Sequence, residues 1–504
     1  MGTDAPDAGA AAAAPDHISA SLRSDAENTP APAAAASARL RAGIIARYAA
    51  GSLGTGGFAT LPGLVLTYYL TDSLGVAALA AGVVIGAAKI WDVIIDPVIG
   101  ALTDRDLARH GSRRRLMLIG ALALPVLFAA TFAVPPSLGP VVGAIWVMIA
   151  FLLSATAFSL FQVPYIALPA ELTPRYDERT RLLSWRVVVL TFAILAFGAG
   201  GPALRRLTGD PVTGYLVMGV VAGVAIAVGM LIAITVTRHA SISALGAEVA
   251  GAASTLPSSP VPDSVAPMAS LRTQQSGLRE HYASGIRALR RSRAFRLLLS
   301  TFVLQALATG LMLAGAQYVA TWVLHSEAAV ELLFVALIAP ALLAAPAWGA
   351  VARRIGKERA FAVASVVFAV AAVSIGGALW APGAWIYLPV GIAGIAYAGM
   401  QSLPMAMLPD VISADERAHG PGQAGAFSGI WTAGETVGFA LGATALSIIL
   451  TVTGYVSSTA GASVTQPDAA VSGIVISFSL APAALIAISL ITLARYPLRR
   501  ADVD

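Results

Sequence analysis

Runs of 18 or more residues with almost no charge recur along this chain, and nothing constrains its fold more. Each run is long enough to cross a bilayer as an α-helix. Inside lipid every backbone N–H and C=O must be satisfied internally, which leaves a helix as the natural form for such a segment. The runs fall near 42–70, 76–103, 115–135, 140–168, 184–204 and 213–236, and then near 296–323, 330–352, 358–380, 384–408, 424–451 and 470–494. A soluble 504-residue protein would have to hide 57% hydrophobic residues with only 12% charged ones around them. Lipid removes that difficulty, so the chain reads as an all-α integral membrane protein with twelve transmembrane helices.

Between the two sets of six lies a polar stretch, 238–293, rich in Ser, Pro and Ala and then basic (LREHYASGIRALRRSRAFR). This organisation predicts a disordered tail over 1–38, a six-helix bundle over 39–237 and a linker over 238–293. A second bundle over 294–496 and a short tail over 497–504 follow. The second half of the linker has the character of an amphipathic helix lying on the inner leaflet. Arginine placement sets the orientation. The 2–3 loop (TDRDLARHGSRRR), the 4–5 loop (PRYDERTR), the linker, the 8–9 loop (ARRIGKER) and the C-terminal tail are all basic. The alternate loops hold no Lys or Arg except Arg205 and Arg206. Both termini are therefore expected on the cytoplasmic side of the inner (plasma) membrane.

The net charge of +5 is nearly all arginine, with Lys89 and Lys357 the only lysines, and it reads as topology, not as nucleic-acid binding. With no cysteine, disulfides and thiolate metal sites are excluded. The histidines sit in predicted loops or at membrane edges, which argues against buried haem or zinc. No G-x-x-x-x-G-K-[ST] loop offers direct ATP drive. The expectation is a carrier and not an enzyme, needing no cofactor beyond H+ or Na+ as coupling ion.

The two halves echo each other. VPYIALPAEL (163–172) and LPMAMLPDVI (403–412) each place prolines five residues apart and then reach a carboxylate, Glu171 or Asp410. GALTDRDLARHGSRRR has a shorter counterpart in GAVARRIGKER. Two parallel six-helix repeats joined by a linker describe the major facilitator fold, with its solute site midway between the halves.

The stretch KIWDVIIDPVIG carries the most telling charges. On a helix Lys89, Asp92 and Asp96 share one face through i+3 and i+4 steps. An Asp at the bilayer centre costs about 2.5–3.5 kcal/mol on insertion scales. Two acids there call for a cation, a proton or a partner inside the bundle, so Asp92 and Asp96 are the candidate cation or proton site, with Na+ as the possible metal. Charged residues snorkelling from a helix end are the alternative, but Asp104 is read as the true cytoplasmic end, two turns on.

These residues, with VPYIALPAELTPRYDERTRLLSWR, LPMAMLPD and FSGIWTAGETVGFALG, resemble the glycoside–pentoside–hexuronide:cation symporters, the group of the bacterial melibiose carrier, over about residues 40–495. The resemblance implies that Asp92 and Asp96 bind the coupling cation, that Ser159 stands at a hydroxyl ligand position, that Lys89 replaces an arginine and that Arg186 lies near the solute. It also marks departures. Ile95 stands where the melibiose carrier has an asparagine between its acids, Gly56 and Gln162 where it has sugar-gripping aspartates, and Ile166 where it has a tryptophan. Glu435 replaces a lysine. A site without those groups is poorly suited to a melibiose-like galactoside.

Glu435 adds a titratable carboxylate in the second half, which with the missing asparagine oxygen tilts the reading toward protons. Gln162, Tyr165 and Trp431 are candidate cavity residues, and Tyr318 with Gln317 an even choice between cavity and packing. Asp104, Arg105 and Arg179 are candidate cytoplasmic gate residues, whose ion pairs would hold the inner side shut. The reading is alternating access: a small organic solute and a cation or proton favour the same closed intermediate. The chain is expected to work in the bilayer as a monomer, with no nucleic-acid partner. An exporter, a lipid or amphiphile carrier, or an uncoupled carrier of the same fold is the alternative.

Overall fold

The computed structural model describes residues 40–173, 175–237, 289–419, 424–462 and 464–498. The predicted tail over 1–38, the linker from 238 to 288 with its amphipathic helix, and positions 499–504 lie outside them.

Twelve helices are long and apolar enough to cross a membrane. They are α1 (Ala42–Ser73), α2 (Ala78–His110), α3 (Arg114–Thr131), α4 (Gly139–Pro169), α5 (Arg181–Arg206) and α6 (Pro211–Ile234) in the first half. The second half holds α7 (Arg293–Val323), α8 (Ala329–Ile355), α9 (Lys357–Leu379), α10 (Ala384–Ala418), α11 (Phe427–Val452) and α12 (Asp468–Ala494). Packing repeats between the halves. The pairs α1–α5, α2–α4, α3–α4 and α3–α6 are matched by α7–α11, α8–α10, α9–α10 and α9–α12.

Local chemistry sets several ends. Asp210 accepts from the Thr213 backbone N–H at 2.9 Å, with Pro211 supplying the first helical φ of α6. Ser292 caps α7 by accepting from Phe295 N–H at 3.2 Å. Gly111 ends α2 in the left-handed region at φ 64, a conformation that disfavours a side chain. This end corrects the expected boundary of α2. Asp104 is not a helix terminus but lies inside the helix, which continues to His110. Pro97 lies inside the helix without ending it. Two more spans depart: α10 runs past its expected end at 408 to Ala418, and the final span is interrupted at Ser479 (φ −130), giving pieces Asp468–Phe478 and Leu480–Ala494.

The halves meet through α2–α11, α5–α8 and α1–α7. These seams need small residues. A Cβ added at Gly82 of α2 would strike Ser447 of α11 at 2.6 Å, and one at Gly63 of α1 would reach Leu313 of α7 at 3.0 Å. Such seams join the membrane half away from the arginine-rich loops. Below Gly86, which meets Thr444, α2 sheds its cover, and Ile90, Trp91, Ile94 and Asp96 are exposed. The halves thus close at the arginine-poor face and part toward the arginine-rich one.

Candidate functional site

The charged face of α2 opens into this parting. Lys89 Nζ donates to Asp92 Oδ2 at 3.0 Å, one turn along the helix, so Asp92 carries its own internal cation. Asp96 lies one turn further, exposed, within the field of both Asp92 and Lys89. Its hydroxyl neighbour is Ser159, buried on α4, which packs along α2. The fold therefore brings Lys89, Asp92, Asp96 and Ser159 together.

In the second half Glu435 is part-buried on α11 beside Tyr397 of α10, whose hydroxyl accepts from Gln401 Nε2 at 2.9 Å. No ion pair to Glu435 occurs among the described residues. Counting along straight helices from the Gly86–Thr444 contact, Asp96 lies ~15 Å down α2 and Glu435 ~14 Å down α11. The two carboxylates thus stand at the same depth in opposite halves.

Other candidates divide. Gln162 accepts from Thr55 Oγ1 of α1 at 2.8 Å, which ties α4 to α1 inside the first half. Tyr165 is a correction: it does not line the cleft but is fully buried, stacked on Tyr48 (4.7 Å) and Phe161 (5.2 Å). Its hydroxyl donates to the Tyr48 carbonyl at 2.8 Å. Arg186 lies over the same ring, 5.3 Å from its centroid, with its Nε unpartnered among the described residues. Trp431 is a second correction, for it is 2% exposed and stacked on Phe302 at 4.4 Å, a packing residue and not a cavity wall. Helical spacing cannot distinguish the face toward the cleft from the face toward a neighbouring helix, which is why the sequence misleads at both positions.

The expected gate residues act inside one half in this state. Arg113 of the 2–3 loop donates to Asp104 at 2.9 Å and, through Nε, to Glu171 at 2.5 Å. Arg105 is exposed, and Arg179 donates to the Thr173 carbonyl at 3.2 Å. The second half repeats the motif, with Lys357 donating to Asp410 at 2.6 Å and to the Ala406 carbonyl at 3.1 Å. Glu171 and Asp410 each receive a cation from the equivalent loop, 2–3 for Glu171 and 8–9 for Asp410. These pairs staple α2 to α4 and α9 to α10, and they do not close the arginine-rich side here.

Sequence reasoning missed the opposite face. Arg205 and Arg206, the two cations out of place in the arginine pattern, cross to the second half. Arg205 donates to Glu327 at 2.9 Å and to Tyr215 at 2.7 Å, and Arg206 pairs with Glu331. Two glutamates four residues apart in the 7–8 region were the available signal.

Residues 47–257 and 263–500 match the MFS/sugar transport protein family. The chain belongs to that family. Its relatives place it with the glycoside–pentoside–hexuronide type of carrier in the major facilitator fold. An uncharacterized symporter of Synechocystis is 26% identical over 515 residues, covering 90% of this chain and 94% of that protein. A putative glycoside/cation symporter of Escherichia coli is 31% identical over 157 residues, 30% of this chain and 33% of the relative. Among solved structures, a D-xylose–proton symporter superposes with a TM-score of 0.63 at 12% identity, covering 90% of this chain and 98% of the other, and so shares the fold.

Proposed function

We propose that this transporter is a proton-coupled symporter for a small organic solute, with Asp96 as the group that takes up and releases the coupling proton. The carrying observation is the Lys89–Asp92 ion pair directly beside Asp96. A hard metal cation gathers several oxygen ligands, whereas here an ammonium already occupies one of the two carboxylates. Ser159 adds a hydroxyl to Asp96, and Ile95 contributes no oxygen. A proton needs only one carboxylate. Neutralising Asp96 lowers the cost of bringing this face against the second half when the cleft closes. Glu435, at matching depth in the other half, is a second proton-exchanging or solute-gripping group, and Arg186 its counterpart in the first. Solute and proton are coupled because each favours the same closed state.

With arginine-rich loops inside the cell, both termini are cytoplasmic in the inner membrane and the state described is open inward. The working unit is one chain. The solute is not a melibiose-like galactoside, since Gly56, Gln162 and Ile166 offer neither carboxylate nor aromatic platform.

The test is the thermal stability of purified carrier across pH, with and without sodium, for wild type, Asp92→Asn, Asp96→Asn and Glu435→Gln. The expected result is a pH dependence that Asp96→Asn flattens, with no sodium effect. A sodium-dependent rise lost in both Asp variants would overturn the proton assignment in favour of a sodium site.

A further inference from the structure

At the arginine-poor face one carboxylate sits where both halves converge. Asp72, 9% exposed near the end of α1, accepts at both oxygens, and each bond leads back to the second half. Tyr455, in the segment after α11, donates to Oδ1 at 2.6 Å and in turn accepts from Trp322 Nε1 of α7 at 2.8 Å. Thr71 donates to Oδ2 at 2.5 Å, and its oxygen lies 2.6 Å from the Tyr318 hydroxyl of α7. The Thr71 and Tyr318 hydroxyls are hydrogen-bonded to each other. Both relays therefore link α7 to Asp72.

The backbone is shaped for this meeting. Helices α1 and α7 each end in a single wide π turn, Tyr69–Ser73 and Val319–Val323. The turns match bond for bond. Leu74 N–H reaches the Tyr69 carbonyl and Val76 N–H the Leu70 carbonyl, as Leu324 reaches Val319 and Ser326 reaches Ala320. Asp72 and Trp322 hold the same place in their two turns, and Tyr455 joins them. Such turns are costly irregularities that concentrate at functional positions. The segment after Tyr455 then lies along the α1 turn. Ser458 N–H donates to the Thr71 carbonyl at 2.9 Å and Ala460 N–H to the Ser73 carbonyl at 3.0 Å. The charged and titratable neighbours are Arg205 on α5, Tyr215 on α6, Tyr68 on α1 and Glu327 before α8, in addition to Tyr318 and Tyr455.

We propose that the Asp72–Tyr455 contact, framed by the paired π turns, is the latch of the arginine-poor gate and sets how often that face opens. Opening must separate α1 from α7, so both relays break together. Asp72 then exchanges the Tyr455 hydroxyl for water, while Thr71, which moves with it, loses Tyr318. The 455–460 segment leaves the α1 turn in the same movement. The ion pairs of Arg205 and Arg206 reach toward solvent, through the half-exposed Glu327 in one and the 35% exposed Arg206 in the other.

The chain contains no cysteine, which makes label placement simple. Spin labels at Thr208→Cys and Ala381→Cys, both exposed, report the arginine-poor face in lipid nanodiscs. A second pair at Ala108→Cys and Arg354→Cys reports the opposite face. Pulsed electron–electron distance measurements would compare wild type with Asp72→Asn and Tyr455→Phe. An amide at position 72 presents donors where the relays need acceptors, and the phenylalanine removes one hydroxyl without changing shape. The expected result is about a tenfold rise in the open-to-closed ratio of the outer pair for either variant, with a matching shortening of the inner pair. Wild-type distributions in both variants would overturn the latch. So would a broadened outer distribution with no change in the inner pair, since that is fraying of a loop and not gate motion. If Asp72→Asn fails to fold, Tyr455→Phe decides. No solute or ion enters the measurement, so its outcome is independent of the coupling assignment.

Discussion

Replacing Arg205 with Gln should cost far more than replacing its neighbour Arg206, although both form an ion pair across the same seam. The Arg205 side chain is 4% exposed, while its partner Glu327 is 51% exposed. Water screens that ion pair, so it contributes at most about 1 kcal/mol. Most of the stabilisation lies on the buried side of the guanidinium. Arg205 donates to the buried Tyr215 hydroxyl at 2.7 Å, and orphaning such a group costs about 1–3 kcal/mol. The guanidinium also lies 5.1 Å from the Tyr215 ring centroid and 5.7 Å from that of Tyr68, contacts worth about 0.5–2 kcal/mol each. These contacts share atoms and do not simply add, so a loss of about 2–4 kcal/mol is expected. Arg206 is 35% exposed and among the described residues pairs only with Glu331, which predicts at most about 1 kcal/mol. Thermal unfolding of the two purified variants, followed by tryptophan fluorescence in one detergent, provides the comparison. A silent Arg205→Gln, or an Arg206→Gln with the larger loss, would refute the idea that burial of the guanidinium and not its salt bridge carries the energy.

Gly394→Ala should lose about 1–3 kcal/mol, because its new methyl would run into the Leu337 carbonyl of α8, a backbone atom that cannot rotate away. Gly200→Ala meets nothing within 4 Å and should leave the melting temperature unchanged or raise it slightly in the same assay. Arg113→Gln should lower stability by about 1–3 kcal/mol by leaving the part-buried Glu171 without its donor. Adding Glu171→Gln should restore much of that loss in a double-mutant cycle, and strictly additive losses would count against a direct stapling contact.

Much of the architecture is legible in the chain because lipid imposes a one-dimensional rule. An apolar run of sufficient length must be a helix, so twelve runs become twelve helices with ends within a turn or so for most. Asp104 shows where that rule weakens: a polar residue near an interface looks like an end, but the helix continues into water as far as a glycine able to take φ 64. The Lys89, Asp92 and Asp96 cluster is readable because its members lie on one helix at fixed spacing. Tyr165 and Trp431 mislead because their surroundings come from other helices, α1 for the tyrosine and α7 for the tryptophan.

By itself, the sequence determined the membrane-spanning class, the six-plus-six repeat, the segregation of arginine to one set of loops and the local acid pair on α2. All follow from spacing along one segment or from the cost of charge in hydrocarbon. Only the tertiary structure decided which face is shut, because closure depends on atoms far apart in the chain. Tyr455 meets Asp72 across 383 positions, and Arg205 meets Glu327 across 122. No local pattern encodes those contacts, since their partners lie on different helices and meet only when the two halves pack.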